Sequence, residues 1–410
     1  SIYNMYEYIE DLAYKYASVN NHIKVEKVDN LTTKTEWKTN YGVTDESKFI
    51  IIETESKSKI LYESNFYTMD FTTYQQIDVT EEAITNAILD VTTNIKPKIC
   101  FLTGHEYYTQ TYFQYLQSDL EAEINEIEFI DLLKTGSIPE ECKLLAITAL
   151  KEDITEKERD LILSYIQEGG ELLLLLDANL DKIQMPNFNK ILEEYGVSIS
   201  EGFILEGDNN RMVYGSPSFV VAPIYENSQI VKNMSMGLNV CMMNPAKLTV
   251  VSEEELEEKN LTMEVLATVS DKAFYRTDLN SESTSKIDSD EEAGGATIAA
   301  MFTKDYGEDK KSKMIIFTSS VFATNMRIRL DEQNYRYALD FYNNKDVLLN
   351  SVSYLTDRED NITIRKTVET VTTYDLSEAQ LRTICIIIFA IPIFIILMGI
   401  VVWQIRRRKK

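Results

Sequence analysis

The sequence predicts an α/β protein: a mostly parallel sheet flanked by helices, a small α/β unit before it and one membrane helix after it. Three observations carry that expectation. Between Pro97 and Val197, short apolar runs alternate with helical periods over short links, giving the order β-α-β-β-α-β-α of an open parallel sheet. Leu172–Leu176 are five consecutive leucines, the composition of a strand covered on both faces. Thr383–Ile405 runs for 23 residues without a charged side chain and leads directly into Arg406, Arg407, Arg408, Lys409 and Lys410.

The first unit spans residues 1–96. Met5, Ile9, Leu12 and Tyr16 recur at helical spacing and predict an amphipathic helix over 4–17. Ile23, Val25 and Val28 stand among Lys24, Glu26 and Lys27, which predicts a strand over 22–28. Two more strands are expected at Phe49–Ile52 and Lys59–Tyr62. Thr80 is the expected N-cap of a helix over 81–91, whose acidic first turn suits the helix dipole. The unit offers no chemistry: it has no cysteine, and its single histidine, His22, stands at a strand start.

Residues 97–356 form the expected main domain. Ile99–Leu102 is a strand ending in Thr103, Gly104, His105 and Glu106, and a helix follows to Leu120. Strands over 126–132 and 144–148 come next. The capping box Thr155-Glu156-Lys157-Glu158 then opens a helix that Gly169-Gly170 ends. The leucine strand ends in Asp177, and Gly196 stops a helix over 187–195. Open parallel sheets place ligand sites at the C-terminal ends of their strands. Gly104, His105, Glu106 and Asp177 fall there and are the candidate ligand- or partner-binding residues.

From about 198 to 296, β-like runs such as Phe219–Ile224, Leu248–Val251 and Met263–Val269 predict a β-rich insertion. The acidic run 252–259 and the polar stretch Asp278–Gly295 read as exposed loops, the second of them mobile. Strands return at Thr297–Phe302 and Met314–Ser319, and a helix at Asp346–Leu355. A polar stalk over 357–382 leads to the membrane helix 383–405 and the basic tail 406–410.

At about 1.5 Å per residue the apolar run is long enough for a hydrocarbon core about 30 Å thick. Pro392 bends it near mid-span, and Trp403 belongs at the headgroup level. The positive-inside bias keeps the tail cytoplasmic and residues 1–381 extracytoplasmic. Because so long a segment precedes the helix, a signal or second membrane helix is expected ahead of Ser1. Arg382 and the tail carry +6 of a total charge of −25, which leaves −31 on residues 1–381. That charge repels phosphate backbones and excludes nucleic acid as a partner.

Catalytic patterns are missing from the sequence. There are two histidines and no Gly-x-Ser-x-Gly elbow, and neither Cys100 nor Cys142 stands on a strand-to-helix turn. The four cysteines, with Cys241 and Cys385, show no paired spacing, so no disulfide framework is expected. Neither phosphate-binding glycine pattern occurs, so no nucleotide cofactor is expected, and if a nucleotide drives the system another subunit binds it. Asp177, Asn179 and Asp181 have the spacing of a calcium loop. Lys182 and Phe188, however, stand where that loop needs Gly and Glu, so no metal is expected.

At Lys98–Glu106, KICFLTGHE, the chain resembles the GldG-type auxiliary proteins of ABC transport systems, which carry a strand followed by a Gly-His-x-Glu-like turn. The resemblance continues through Ile154–Asn179, Pro186–Val197, Lys313–Asn325 and Asn344–Arg365, and ends in the membrane helix with its basic tail. It implies a domain similar to the class I glutamine-amidotransferase-like fold without that fold's catalytic cysteine, a domain type also found in intraflagellar-transport proteins. It further implies membrane anchors at both ends, with an ABC permease and ATPase as partners. Here Glu106 follows His105 directly and Tyr107 takes the next place, a departure from the family's turn. The expectation is a non-catalytic accessory subunit of an export or gliding-motility-like system, binding a partner protein or a carbohydrate-like ligand. The alternative is a hydrolase acting at the His105/Glu106/Asp177 edge.

Overall fold

In a computed structural model the leucine run occupies the position its composition demands. Glu171–Leu175 is the central strand of a seven-stranded sheet, with all five residues buried. The structure describes residues 1–358, apart from 30, 32–33, 71–74, 94–95, 214, 226, 232–237, 279 and 330–334, together with Trp403 and Arg407. The stalk beyond 358, the membrane helix 383–405 and the tail lie, but for those two residues, outside the described residues. Among the described residues no helix is long and apolar enough to cross a membrane.

The sheet comprises Lys98–Leu102 (β1), Glu126–Ile130 (β2), Cys142–Thr148 (β3), Glu171–Leu175 (β4), Leu261–Thr268 (β5), Thr297–Gly307 (β6) and Lys310–Phe317 (β7). Its order is β5-β6-β7-β4-β3-β1-β2. The five strands from β7 to β2 run parallel, while β6 and β5 complete the sheet antiparallel. The pleat sends alternate leucines of β4 into two cores. Leu173 and Leu175 meet Leu116, Leu120, Val347 and Val352 on one face. Leu172, Leu174 and Leu176 meet Ile162, Ile166, Phe188 and Ile191 on the other. Burying each such side chain contributes about 1.5–3 kcal/mol, so this strand alone anchors both layers.

Local signals set the helix ends. Thr155 and Glu158 form the expected reciprocal capping box at the start of the Glu156–Gln167 helix. Gly196, at φ +65°, follows the Pro186–Glu194 helix. At the end of the Asn344–Leu355 helix, Asp357 meets Lys313 at 2.6 Å and Lys143 at 3.1 Å. Arg358 Nη2 donates to the Glu123 carbonyl and to Asn125 Oδ1, both at 2.9 Å.

Other expectations are corrected. The 22–28 strand shrinks to Lys27–Val28, which pairs with Ile2–Tyr3 in a four-stranded N-terminal sheet. Thr80 lies inside the Thr80–Thr92 helix rather than capping it, and its own N–H is taken by Asp78 Oδ1 at 2.9 Å. The Thr35–Tyr41 helix and the hairpin of Tyr67–Asp70 with Gln75–Asp78 were not expected, being too short to show a period. The acidic run is a helix, Glu253–Glu258, capped by Ser252 Oγ, with Glu253, Glu254 and Glu255 in its first turn at the dipole's positive end. The 263–269 run belongs to β5 of the large sheet rather than to the smaller β-sheets formed between 197 and 292.

The polar stretch after 278 is mostly exposed, as expected, but it is anchored from inside. Arg276 is 1% exposed, and its Nε faces both oxygens of buried Asp290 at 3.0 Å. Its Nη1 donates to the Ser283 carbonyl at 2.6 Å and its Nη2 to the Ser285 carbonyl at 3.0 Å. A buried guanidinium thus gathers the segment that composition alone made look mobile.

Glu171, at the start of β4, is 3% exposed and accepts the Lys313 N–H. Burial pushes its carboxyl up to about 7. The folded state then holds this proton more tightly than the unfolded chain. The contribution is complete below the unfolded carboxyl range and lost as pH rises through about 7. Glu171→Gln keeps an acceptor and removes the charge. It should melt like the parent at pH 5 and higher at pH 8.5, by up to about 3 kcal/mol. Equal melting at both pH values would mean that the carboxylate is not destabilised by burial.

Candidate functional site

The C-terminal ends of the five parallel strands lie along one edge of the sheet. Beyond β1, the Thr103 N–H and hydroxyl donate to the Ile130 carbonyl at 2.8 and 3.0 Å, which ties this turn to β2. Gly104 has φ +107°, and an added Cβ would meet only ordinary contacts from Asp131 at 3.8 Å, so the backbone angle is what asks for glycine. The Gly104 N–H donates to Glu106 Oε2 at 2.5 Å. Past the turn the chain pairs with the segment after β3: Lys151 N–H donates to the His105 carbonyl at 2.9 Å, and Tyr107 N–H to that of Ala149 at 2.7 Å.

That pairing turns the His105 ring inward. The ring is 7% exposed, and its Nε2 lies 3.0 and 3.1 Å from the two oxygens of Glu158, which is itself fully buried. Thr155 supplies two more donors to the same carboxylate, its N–H at 2.8 Å and its hydroxyl at 2.7 Å. With Glu158 ionised, Nε2 carries the hydrogen and donates. Nδ1 has no hydrogen-bond partner among the described residues and lies 3.9 Å from Glu152 Oε1.

Asp177, half-buried at the end of β4, faces the end of β7. Its Oδ1 accepts the Ser320 N–H at 2.5 Å, and its Oδ2 accepts the Ser320 hydroxyl at 2.7 Å. Burial pushes the Asp177 carboxyl up, against the opposing pull of these two bonds. Nearby, burial and then the charge of Asp177 push the Tyr108 phenol up to about 12.

The four expected residues therefore share an edge without forming one cluster. His105 closes onto Glu158, Glu106 onto its own turn and Asp177 onto Ser320. Glu158 and Ser320 were not among the expected site residues; the capping box marked Glu158, but only as a helix start. Asn179 braces its own loop, accepting the Ile183 N–H at 2.9 Å and donating to its carbonyl at 2.7 Å. Among the described residues no group of three or more His, Cys, Asp or Glu is placed to hold a metal ion. Cys100 is held far up by its hydrogen bond with Cys142 and by burial, while burial pushes Cys241 up to about 12. Such thiols stay protonated at neutral pH and are poor nucleophiles.

Residues 96–351 match the family described as "ABC-type uncharacterized transport system", an ABC-transport auxiliary family, and the chain belongs to it. This agrees with the GldG-type resemblance seen in the sequence. No curated protein matches the chain. Among solved structures it is similar to the "mmIFT52 N-terminal domain", at 16% identity and a TM-score of 0.44, over 63% of this chain and 97% of that one. It is also similar to a ThuA-like protein from Parabacteroides merdae, at 11% identity and a TM-score of 0.38, over 64% of this chain and 90% of that one. A glutamine amidotransferase from Thermotoga maritima matches at 10% identity and a TM-score of 0.29, over 55% of this chain and 76% of that one.

Proposed function

We propose that the chain is a non-catalytic, membrane-anchored accessory subunit of an ABC-type export or motility system. Family membership across residues 96–351 is the observation that carries this reading. In it, residues 383–405 contact the lipid, the α/β domain is extracytoplasmic, and an ABC permease and ATPase are the partners. The C-terminal sheet edge bearing Gly104, His105, Glu106 and Asp177 binds a partner protein or a carbohydrate-like ligand, with His105 holding the loop from inside. The protonated thiols and the separate anchoring of His105 and Asp177 support a binding role over a hydrolytic one.

The test is purification of the tagged full chain from its own membranes in mild detergent. A permease and an ATPase should co-purify in fixed ratio. Recovery of the chain alone, even after chemical crosslinking, would remove the accessory-subunit reading.

A further inference from the structure

A row of aromatic rings crosses the same sheet edge. Tyr107, 59% exposed, meets Tyr108 edge-on with ring centroids 5.0 Å apart, and Tyr108 meets Tyr112 at 5.3 Å. Tyr112, on the turn leading into the Gln114–Ala122 helix, and Tyr115, in that helix's first turn, are 41% and 38% exposed. Tyr115 meets Tyr337 at 4.9 Å, and Tyr337 meets Tyr335 at 5.8 Å. The Asn325 N–H donates to the Tyr112 carbonyl at 2.8 Å and joins the two ends of the row. Arg327 lies on the strand paired with Tyr335–Tyr337, and its guanidinium is 4.5 Å from the Tyr335 ring and 5.8 Å from that of Tyr337.

Tyrosine and arginine are the residue types that dominate binding energy at protein interfaces. Rings held against one another are already ordered, so docking onto them costs little rotamer entropy. Charge indicates what docks. Arg159 and Arg276 each hold an aspartate. Exposed Arg327 instead bonds the Tyr337 hydroxyl at 3.5 Å and has no carboxylate partner among the described residues. In a chain with 66 acidic and 41 basic side chains, a stacked, exposed guanidinium that meets no carboxylate among the described residues can take one from a partner. A second copy would bring the whole acidic charge of the chain, and long-range repulsion opposes it. A short segment with one or two carboxylates meets mainly the local guanidinium, since salt screens charges farther than about 10 Å away.

We infer that this row is a docking surface for an extended, acidic segment of a partner protein. Arg327 takes a carboxylate of that segment, and the faces of Tyr107, Tyr112 and Tyr115 pack its flanking apolar side chains. The inference deepens the accessory-subunit reading, on which it rests only for the partner's place in a transport system.

Selection of a random peptide library of about twelve residues against the full chain in detergent tests the docking surface directly. Peptides with Asp or Glu beside aromatic or aliphatic residues should be enriched. Their binding should weaken at least tenfold, about 1.4 kcal/mol, in Arg327→Gln and in Tyr112→Ala. Both variants change exposed side chains, and unchanged melting would show that the fold is intact. Tyr107→Ala serves as a second ring variant if Tyr112→Ala melts early. No enrichment, enrichment of basic peptides, or equal binding by parent and variants overturns the inference. So does binding to neutral sugars on a glycan array without any to peptides, which would give the surface to a carbohydrate. Co-purification judges the transport reading separately: peptide binding without a permease would leave the surface standing and remove only the accessory role.

Discussion

Arg276→Ala is expected to cost about 3–5 kcal/mol and to open the segment between 278 and 290 to protease. Removing one member of a buried ion pair leaves the other charge uncompensated, and the Asp290 carboxylate is fully buried. The same substitution frees the carbonyls of Ser283 and Ser285, so the loop loses its centre together with its charge balance. Denaturant unfolding measures the first effect, and limited proteolysis followed by mass spectrometry measures the second. Adding Asp290→Asn should recover part of the loss, because the orphan charge is then gone. A single variant within about 0.5 kcal/mol of the parent, cut no faster in this segment, would show that Arg276 does not organise it.

The second large effect is expected at His105. His105→Ala takes a donor from a carboxylate that water cannot reach, and hydrogen bonds to charged groups are worth about 1.5–3 kcal/mol. The loss should lie in that range, since Thr155 still serves Glu158 twice and the backbone pairing on either side of residue 105 does not depend on the ring. Thermal or denaturant melts read the cost. Co-purification with the permease, compared at matched folded fraction, reads any direct role. Reduced stability with intact association fits a histidine that braces the loop. Parent-like stability with lost association would instead make the imidazole itself the contact.

What could be read in the sequence was local. Leu172–Leu176 announced a strand buried on both faces because five apolar residues in a row leave no polar face. Thr155 and Glu158 announced a helix start because a capping box needs only residues three apart. The partners that define the edge are distant in the chain. Glu158 lies 53 residues from His105, and Ser320 lies 143 residues from Asp177. Such pairs appear only once the strand order brings β4 beside β7 and sets the Glu156–Gln167 helix against the β1 turn. Arg276 failed differently: the 278–290 segment has a loop's composition, and nothing local shows that one arginine will hold it. The tyrosine row was hidden for a related reason, since its members come from the turns after β1 and β7, more than 200 residues apart.

The fastening at Asp357 and Arg358 bears on how force would travel through the molecule. Asp357 is held by Lys143, at the start of β3, and by Lys313, midway along β7, and Arg358 by the loop between the Gln114–Ala122 helix and β2. A pull on the chain beyond 358 therefore does not first peel the Asn344–Leu355 helix from its end. It is divided among two strands and a loop, which must yield together, as in shear rather than unzipping. A domain fastened in this way transmits tension as a rigid body, and single-molecule pulling should find one high, sharp unfolding event where a peeled helix would give a low and gradual one.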